Sequence, residues 1–204
     1  MLHRLKALAA ALLIAACVPL LAKAATEDAQ HVVEGYYATL LKTMESGKQL
    51  GYKGRYDQLK PAVEKTFNLP LMAKNSVGSY WDGMTPDQRT AVVAAFTDFT
   101  VANYANHFDD YGGEKFETYR AEETPRKDVV VYSAIVKASG SKVSINYLLR
   151  PVDGGYKVID VFLDGSISEL ATRRSEFTSV IRRDGVDSLI KVIHDKAASL
   201  ATSN

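Results

Sequence analysis

The sequence predicts an α+β fold in which an antiparallel four-stranded curved sheet packs against N- and C-terminal helices. Apolar residues recur at helical spacing up to about residue 106, the period changes to two between residues 115 and 163, and helical spacing returns after residue 168. This order of blocks indicates α+β rather than alternating parallel units. No repeat, low-complexity tract or linker interrupts it, so we expect residues 25–204 to form a single domain.

The first 24 residues have the pattern of a cleavable signal peptide. Basic residues precede an uninterrupted apolar stretch at 7–21, and Ala22-Lys23-Ala24 has the small-x-small form that signal peptidase accepts. The apolar stretch is shorter than the roughly twenty residues of a membrane-spanning helix. We therefore expect cleavage after Ala24 and export across a membrane.

Cys17 offers a minor alternative to that cleavage. The sequence Ile14-Ala15-Ala16-Cys17 resembles a lipoprotein processing box, whose cysteine would become the lipidated N-terminus. However, residues 18–21 are apolar, where a lipoprotein normally presents a polar tether. Cleavage after Ala24 would leave no cysteine in the mature chain, which would exclude disulfides and thiol chemistry.

Four helices are predicted before the sheet. The first begins at Thr26, a residue type that commonly caps helices. Three glycines predict a loop over residues 47–54. Thr85-Pro86-Asp87-Gln88 combines a capping threonine, a proline at the first helical position and a glutamine that can complete a capping box. The helices after the first are predicted at 55–67, 69–81 and 86–106.

Four strands with short connections predict an antiparallel meander. In the third strand, Val143, Ile145, Tyr147 and Leu149 lie on one face, as expected for a sheet packed on one side. The second strand is apolar on both faces, so its extra surface needs covering by protein or by a ligand. The strands are predicted at 115–121, 128–138, 141–150 and 155–163. Two helices follow at 168–183 and 186–200, with Gly185 as the C-terminal cap of the first.

Charge and motifs exclude several classes of function. The chain has 25 basic and 24 acidic residues, and three of the basic ones precede Ala24, so the mature chain has no basic excess for nucleic acid. The histidines lack the spacing of a zinc protease helix. No Gly-x-Ser-x-Gly, phosphate-binding Gly-Lys or Gly-x-Gly-x-x-Gly motif is present. We therefore predict no metal site, no cofactor and no catalytic residue.

Two groups of polar residues could still supply chemistry. His107-Phe108-Asp109-Asp110 could provide a general base, but its place at a helix end favours capping and solvation. Asp160 lies on the last strand, where a role in a turn or cap is favoured over proton abstraction. A basic cluster on the fifth helix could face solvent, an acidic partner or a lipid headgroup, and consists of Arg173, Arg174, Arg182 and Arg183.

A chain of short motifs carries a resemblance to a known family. In order, they are Arg55-Tyr56, Phe67-Asn68-Leu69-Pro70-Leu71-Met72-Ala73, Tyr80-Trp81, Thr85-Pro86-Asp87-Gln88-Arg89, Gly112-Gly113-Glu114, Tyr156-Lys157-Val158-Ile159-Asp160-Val161 and Gly185-Val186-Asp187-Ser188-Leu189-Ile190. Together they resemble the MlaC, or toluene-tolerance, family of periplasmic phospholipid-binding proteins. Leu163-Asp164-Gly165-Ser166-Ile167-Ser168-Glu169-Leu170-Ala171 is most similar to its branch named hopanoid biosynthesis associated protein HpnM.

The resemblance implies a cone of the NTF2-like type with an apolar pocket between sheet and helices. It also implies a carrier that shuttles phospholipid or a hopanoid-related lipid between membranes, as the soluble component of an MCE-type ABC transport system. Its partners would be the lipid, an inner-membrane MCE-domain transporter complex and, transiently, a membrane. From motifs and strand faces, the predicted lining is Leu71, Met72, Trp81, Phe96, Phe99, Tyr104, Val131, Ser133, Ile135, Ile145, Tyr147, Leu149, Val161 and Phe162.

Two other classes of function remain open at this point. One is a cone-fold enzyme that acts on a hydrophobic terpenoid with Asp160 or His107 as the base. The other is a membrane-associated interaction protein that binds no ligand and has a filled core. Turnover that depends on those residues would distinguish the first, and the absence of an internal cavity would favour the second.

Overall fold

The structure, a computed structural model, describes the backbone of residues 2–202 and the side chains of residues 24–202. Its helices are α1 (Leu2–Glu45), α2 (Gly47–Thr66), α3 (Leu69–Val77), a 3-10 helix (Gly78–Gly83), α4 (Pro86–His107), α5 (Glu169–Asp184) and α6 (Val186–Thr202). Its strands are β1 (Lys115–Glu123), β2 (Val129–Val136), β3 (Lys142–Val152), β4 (Gly155–Leu163) and β5 (Ile167–Ser168). The predicted succession of helices, strands and helices is therefore confirmed.

The side chains of residues 1–23 of the predicted signal peptide lie outside the described part of the chain. Cleavage after Ala24 and lipidation of Cys17 therefore stay predictions. Within the described residues, the helices are each too short or too polar to cross a membrane.

Three predicted boundaries in the N-terminal half are wrong. The helix predicted at 69–81 ends at Val77, because Gly78 has a positive φ of 58°, and a 3-10 helix follows it. Helix α1 begins at Leu2, so Thr26 lies inside it rather than capping it; the preceding Ala24 and Ala25 are strong helix formers that allow the helix to continue. The predicted loop at 47–54 belongs to α2. Only Gly51 leaves the helical conformation there, with φ 61° and ψ 177°, because glycine adopts positive φ at little cost.

The sheet is an antiparallel meander in the order β1-β2-β3-β4-β5. It has five strands within the described residues, so the prediction of four is wrong. The extra strand forms because Asp164 and Gly165 have positive φ values of 48° and 80° and turn the chain back onto β4. A strand of two residues is too short to show the alternation from which strands are predicted.

Strand register puts the apolar residues of the sheet on one face. Val131 pairs with Tyr147, which pairs with Val161 on its other side, and all three are buried. Directly paired residues project to the same side of a sheet, and the helices cover this inner face. Asn146 pairs with Phe162, which places both of those side chains on the opposite face.

The predicted caps of α4 and α5 are confirmed. The Gln88 backbone N–H donates to the Thr85 hydroxyl at 3.2 Å, and the Gln88 side-chain oxygen accepts from the Thr85 N–H at 3.1 Å. Gly185 ends α5 with φ 86°, and its N–H donates to the Ile181 carbonyl at 2.9 Å. These local signals are read correctly because they depend only on neighbouring residues.

A buried arginine joins α2 to the end of α4. The Arg55 Nε donates to the Ala105 carbonyl at 2.8 Å, and its Nη1 donates to the Gly47 carbonyl at 3.0 Å. Gly47 itself packs so closely that a β-carbon there would overlap the carbonyl oxygen of Asp109. This close approach fixes the start of α2 against the segment that leads from α4 into the sheet.

We expect Gly47→Ala to lower the free energy of unfolding by about 1–3 kcal/mol, because the added methyl group displaces backbone. The matched control is Gly35→Ala in α1. Gly35 is exposed with no atom near its β position, so alanine there should stabilise the helix by about 0.5–1 kcal/mol. Urea denaturation of both variants measures the two effects, and equal effects would contradict the close approach at Gly47.

Candidate functional site

A cavity of about 360 Å³ lies between the inner face of the sheet and the helices. Most of the apolar residues that line it are buried, whereas the charged, amide and histidine residues that line it are partly or fully exposed. The cavity therefore has an apolar interior and a polar rim. It is lined by Phe67, Met72, Phe96, Phe99, Thr100, Asn103, Tyr104, His107, Phe108, Ile145, Tyr147, Val161, Leu163, Glu169, Leu170 and Arg173.

Two regular elements build most of the wall. From α4 the cavity receives residues that recur at helical spacing from Phe96 to His107, so that one face of the helix lines it along three turns. From β3 and β4 it receives the paired residues Ile145 and Leu163, and next to them Tyr147 and Val161. The wall thus follows from the two periodicities of helix and strand.

The rim carries one cation that is held in place. The Arg173 guanidinium carbon lies 4.8 Å from the centre of the Phe99 ring, a cation–π contact. Its nitrogens lie 3.3 Å from a Glu169 oxygen and 3.5 Å from a Glu176 oxygen. Glu176 also pairs with Lys196 on α6. On the α4 side, the His107 Nδ1 lies 2.8 Å from the Asn103 carbonyl oxygen.

Four tyrosines pack where α1 meets the inner wall. The rings of Tyr36 and Tyr104 meet edge to face at 5.3 Å between centroids, and those of Tyr37 and Tyr147 at 5.7 Å. The Tyr37 hydroxyl lies 2.6 Å from the Ser133 hydroxyl. The Tyr36 hydroxyl, in contrast, is buried and has no hydrogen-bond partner among the described residues.

Burial keeps these phenols protonated. It raises the pKa of Tyr36 and of Tyr147 well above the ordinary value for tyrosine. It also raises the pKa of Tyr37, although the hydrogen bond to Ser133 lowers it in part. The pKa of Tyr104 is raised mainly by burial, and the charge of Glu169 raises it further. All four hydroxyls are therefore neutral at physiological pH.

Half of the predicted lining residues lie at the cavity. These are Met72, Phe96, Phe99, Tyr104, Ile145, Tyr147 and Val161. The other half do not line it, namely Leu71, Trp81, Val131, Ser133, Ile135, Leu149 and Phe162. Whether any of these residues contacts a lipid stays a prediction.

The residues that miss the cavity do so for identifiable reasons. Val131 and Leu149 share the inner face but are completely buried in the closed part of the core. Ser133 donates its one hydroxyl proton to the Ile145 carbonyl and accepts a hydrogen bond from Tyr37, and so belongs to that closed part. Phe162 lies on the opposite face of the sheet, because it follows Val161 by one position.

The remaining three lie in helix α3, in strand β2 and in the 3-10 helix, at positions that do not reach the cavity. Leu71 is a partly exposed residue of α3, and Ile135 lies near the end of β2, paired with Phe116 and Val143. Trp81 lies in the 3-10 helix, where Arg89 stacks on its ring at 5.6 Å. Its role is to hold the start of α4, since Arg89 also donates to its carbonyl.

The predicted lining omits several residues that the same helical and strand periodicities would have reached if they had been followed further along α4 and β4. Continuing the stripe of Phe96 and Phe99 by further helical turns reaches Asn103 and His107. Continuing the alternation of Val161 reaches Leu163. The rest have no local signal that marks them as lining residues, namely Phe67, Thr100, Phe108, Glu169, Leu170 and Arg173.

The candidate acid–base residues are not assembled into a reactive site. Asp160 lies on the outer face of β4, because it pairs with Leu148. Its oxygens accept from the Val161 N–H at 2.8 Å, the Leu170 N–H at 3.1 Å and the Ser168 hydroxyl at 2.6 Å. Such bonds fix the start of α5 and occupy the carboxylate.

The histidine–aspartate segment after α4 also separates. His107 reaches the rim of the cavity, whereas the Asp110 carboxylate pairs with Lys48 at 2.7 Å. In the part of the chain with described side chains, no three His, Cys, Asp or Glu residues form a group that could hold a metal ion.

The four arginines of the predicted basic cluster do not act together. Arg173 alone among them lines the cavity. Arg174 packs against Gly78, where a β-carbon would lie 2.9 Å from its Nε. Arg182 and Arg183 are exposed, and Arg183 pairs with Asp184 at 2.7 Å.

Comparison with known proteins gives two findings. The family model described as MlaC protein matches residues 34–195, well over half of the chain. A phospholipid-binding protein from Ralstonia solanacearum, solved in complex with a phospholipid, has a similar structure with a TM-score of 0.75. The match covers 85% of this chain and 98% of that chain at 21% sequence identity, so it establishes a shared fold.

We expect Tyr37→Phe and Tyr36→Phe to differ in their effect on stability. Removing the Tyr37 hydroxyl breaks its bond with Ser133 and should lower the free energy of unfolding by about 1 kcal/mol. Removing the Tyr36 hydroxyl, which has no partner within hydrogen-bond distance among the described residues, should leave the free energy of unfolding unchanged or raise it. Urea denaturation measures both, and an equal loss in Tyr36→Phe would show that this hydroxyl has a partner after all.

Proposed function

Because the chain belongs to the MlaC protein family, we propose that it is a periplasmic carrier that binds a phospholipid or a hopanoid-related lipid in the cavity between sheet and helices. The observation that carries the proposal is the cavity itself, which is apolar inside and polar at its rim. Its volume of about 360 Å³ lies within the roughly 300–1,000 Å³ typical of small-ligand sites. The Ralstonia solanacearum protein of the same fold was solved with a phospholipid, which supports this ligand class.

The physical reason for a carrier lies in the cost of exposing acyl chains to water. Each methylene removed from water contributes about 0.8 kcal/mol, so a free lipid leaves a bilayer slowly. An apolar cavity of this kind replaces the bilayer interior as the surroundings of an acyl chain, while the polar rim lets a headgroup stay hydrated. Binding and release are sufficient for such a task, and it requires no chemical step.

The rim suggests how an anionic headgroup would be recognised. Arginine binds phosphate through parallel N–H donors, and Arg173 is oriented by Phe99 and two glutamates before any ligand arrives. A phosphate group at the rim would exchange places with Glu169 or Glu176. His107 also lines the cavity, but its Nδ1–H donates to the Asn103 carbonyl, so Nε2 of the neutral imidazole is left as an acceptor and Arg173 is the donor for a phosphate.

The wider context of transport is also part of the proposal. We infer that the protein is exported by its N-terminal segment, exchanges lipid with an inner-membrane MCE-domain ABC transporter complex and touches membranes transiently. The signal-peptide pattern of residues 1–24 supports export. The sequence of residues 163–171, which is most similar to the HpnM branch, supports a hopanoid-related ligand beside phospholipid.

The alternatives fit the geometry less well. An enzyme that used Asp160 as its base would need that carboxylate in the cavity, whereas it lies on the other face of the sheet with its oxygens hydrogen-bonded. Among the described residues, the hydrogen bond of His107 is with the Asn103 carbonyl and not with a carboxylate that could orient it as a base. An interaction protein without a ligand is expected to fill its core, and this core contains a cavity.

We expect the protein purified from its membrane-containing host to carry a stoichiometric lipid, and Ile145→Asp to lose it. Ile145 lines the cavity, so a carboxylate there hydrates the apolar wall. The matched control is Ile135→Asp on the neighbouring strand, outside the cavity, which should retain the lipid. Native mass spectrometry with organic extraction identifies the ligand, and circular dichroism checks folding.

Either of two results would contradict this assignment. Lipid retained by folded Ile145→Asp would move the binding site elsewhere. A ligand-free wild-type protein that also refuses added phospholipid and hopanoid would contradict the carrier function.

We further expect Arg173→Gln to weaken binding of phosphatidylglycerol by about tenfold, because it removes a charged hydrogen-bond donor from the rim. Arg182→Gln removes the same charge from the same helix at an exposed position away from the cavity, and should have no effect. Displacement of a fluorescent phospholipid at fixed ionic strength compares the two. Equal losses would indicate a diffuse charge effect rather than a headgroup contact.

A further inference from the structure

The inner wall of the cavity carries oxygen atoms that an apolar tail does not need. Tyr104 and Tyr147 both line the cavity and lie among phenylalanine and aliphatic side chains. Tyr36 contacts Tyr104 and is not among the lining residues, so it supports the wall from behind. Phenylalanine at these positions would present the same ring to a hydrocarbon chain.

The hydroxyls of this wall are not all used by the fold. Tyr37, behind Tyr147, has the Ser133 hydroxyl at 2.6 Å and is satisfied. The Tyr36 hydroxyl has no partner within hydrogen-bond distance among the described residues. Beyond the effect of burial, it still interacts with the Tyr104 hydroxyl strongly enough to raise the pKa of Tyr36 further, and the Tyr104 hydroxyl interacts in turn with that of Tyr147. Burying a hydroxyl without a hydrogen bond destabilises a protein. The wall therefore retains hydrogen-bonding capacity beside an open cavity.

We propose that Tyr104 and Tyr147, supported by Tyr36, form a hydrogen-bonding site for a neutral oxygen carried at the buried end of an otherwise apolar lipid. The inference rests on the proposed carrier function and specifies its ligand further. A hydroxyl or a carbonyl fits the site, since a phenol both donates and accepts. A ligand of this class is apolar along its length and polar at the end that enters first.

The electrostatics of the site favour a neutral group over an anion. Burial keeps both phenols protonated, so they act as neutral donors and acceptors. The charge of Glu169 acts on Tyr104 in the same direction, since it raises the pKa of that phenol. A carboxylate or phosphate beside these phenols would lose its hydration without gaining a cation in exchange, because Arg173 lies at the rim and is paired with Glu169. The anionic headgroup therefore belongs at the rim and the neutral oxygen at the inner wall.

The experiment compares fatty acids that differ only at the end of the tail. Wild-type protein is freed of lipid and loaded with a fluorescent fatty acid, which is then displaced by plain or ω-hydroxylated acids from dodecanoic to octadecanoic. A purely apolar cavity disfavours a terminal hydroxyl, because its hydration is lost without replacement. We expect instead that at one chain length the ω-hydroxylated acid binds at least as tightly as its plain counterpart.

Variants assign that preference to the tyrosines. Tyr104→Phe and Tyr147→Phe should each weaken binding of the matching ω-hydroxylated acid by about tenfold and leave the plain acid unchanged. Tyr56→Phe is the control, because it removes a hydroxyl that is bonded to Asp98 and lies outside this cavity, and it should change neither affinity. Thermal melts confirm that the variants fold.

Each contrary result has a distinct meaning. If plain acids bind more tightly at every chain length, the inner wall does not recognise an oxygen, and the proposal is wrong while the carrier function stands. The proposal is equally wrong if the phenylalanine variants change the affinity for both acids by the same factor. If no acid or phospholipid displaces the probe, the proposed carrier function fails and this proposal fails with it. The wild-type comparison remains decisive even if a variant does not fold.

Discussion

The helices cover only part of the apolar inner face of the sheet, and the cavity lies over the part that they leave uncovered. Around Val131 and Leu149 the cover is closed and these residues are fully buried. Around Ile145 and Val161 it stays open, and the cavity lies between the strands and α4. An apolar surface of this kind requires either more protein or a ligand. The fold therefore provides both a closed core and a cavity from one continuous sheet face.

Polar groups are placed where they define the ends of the cavity. Arg173 is held at the rim by its contacts with Phe99 and two glutamates. The tyrosine hydroxyls lie at the inner wall, where burial keeps them neutral. Asp160, which is chemically the more reactive type of residue, is placed outside and fixes the start of α5. This division suits a protein that orients an amphiphile, with one kind of polar contact at each end.

The sequence by itself determined the order of the elements, the antiparallel meander and the caps at Thr85 and Gly185, because each depends on neighbours along the chain. It also carried the family resemblance, which the match over residues 34–195 confirms. It failed at the start of α1, at α2 and at the fifth strand. There, backbone geometry at single residues such as Gly51 and Asp164 decides whether an element continues.

Only the tertiary structure decided which inward residues line a cavity and which belong to closed core. Tyr147 and Leu149 are indistinguishable by strand alternation, yet one lines the cavity and the other is completely enclosed. Likewise, Arg173 and Arg182 lie on the same helix, and only the first reaches the rim. Periodicity specifies the side of an element, whereas a cavity depends on how far apart two elements pack. That separation is set by contacts between residues distant in sequence, such as Tyr37 with Ser133, which no local pattern records.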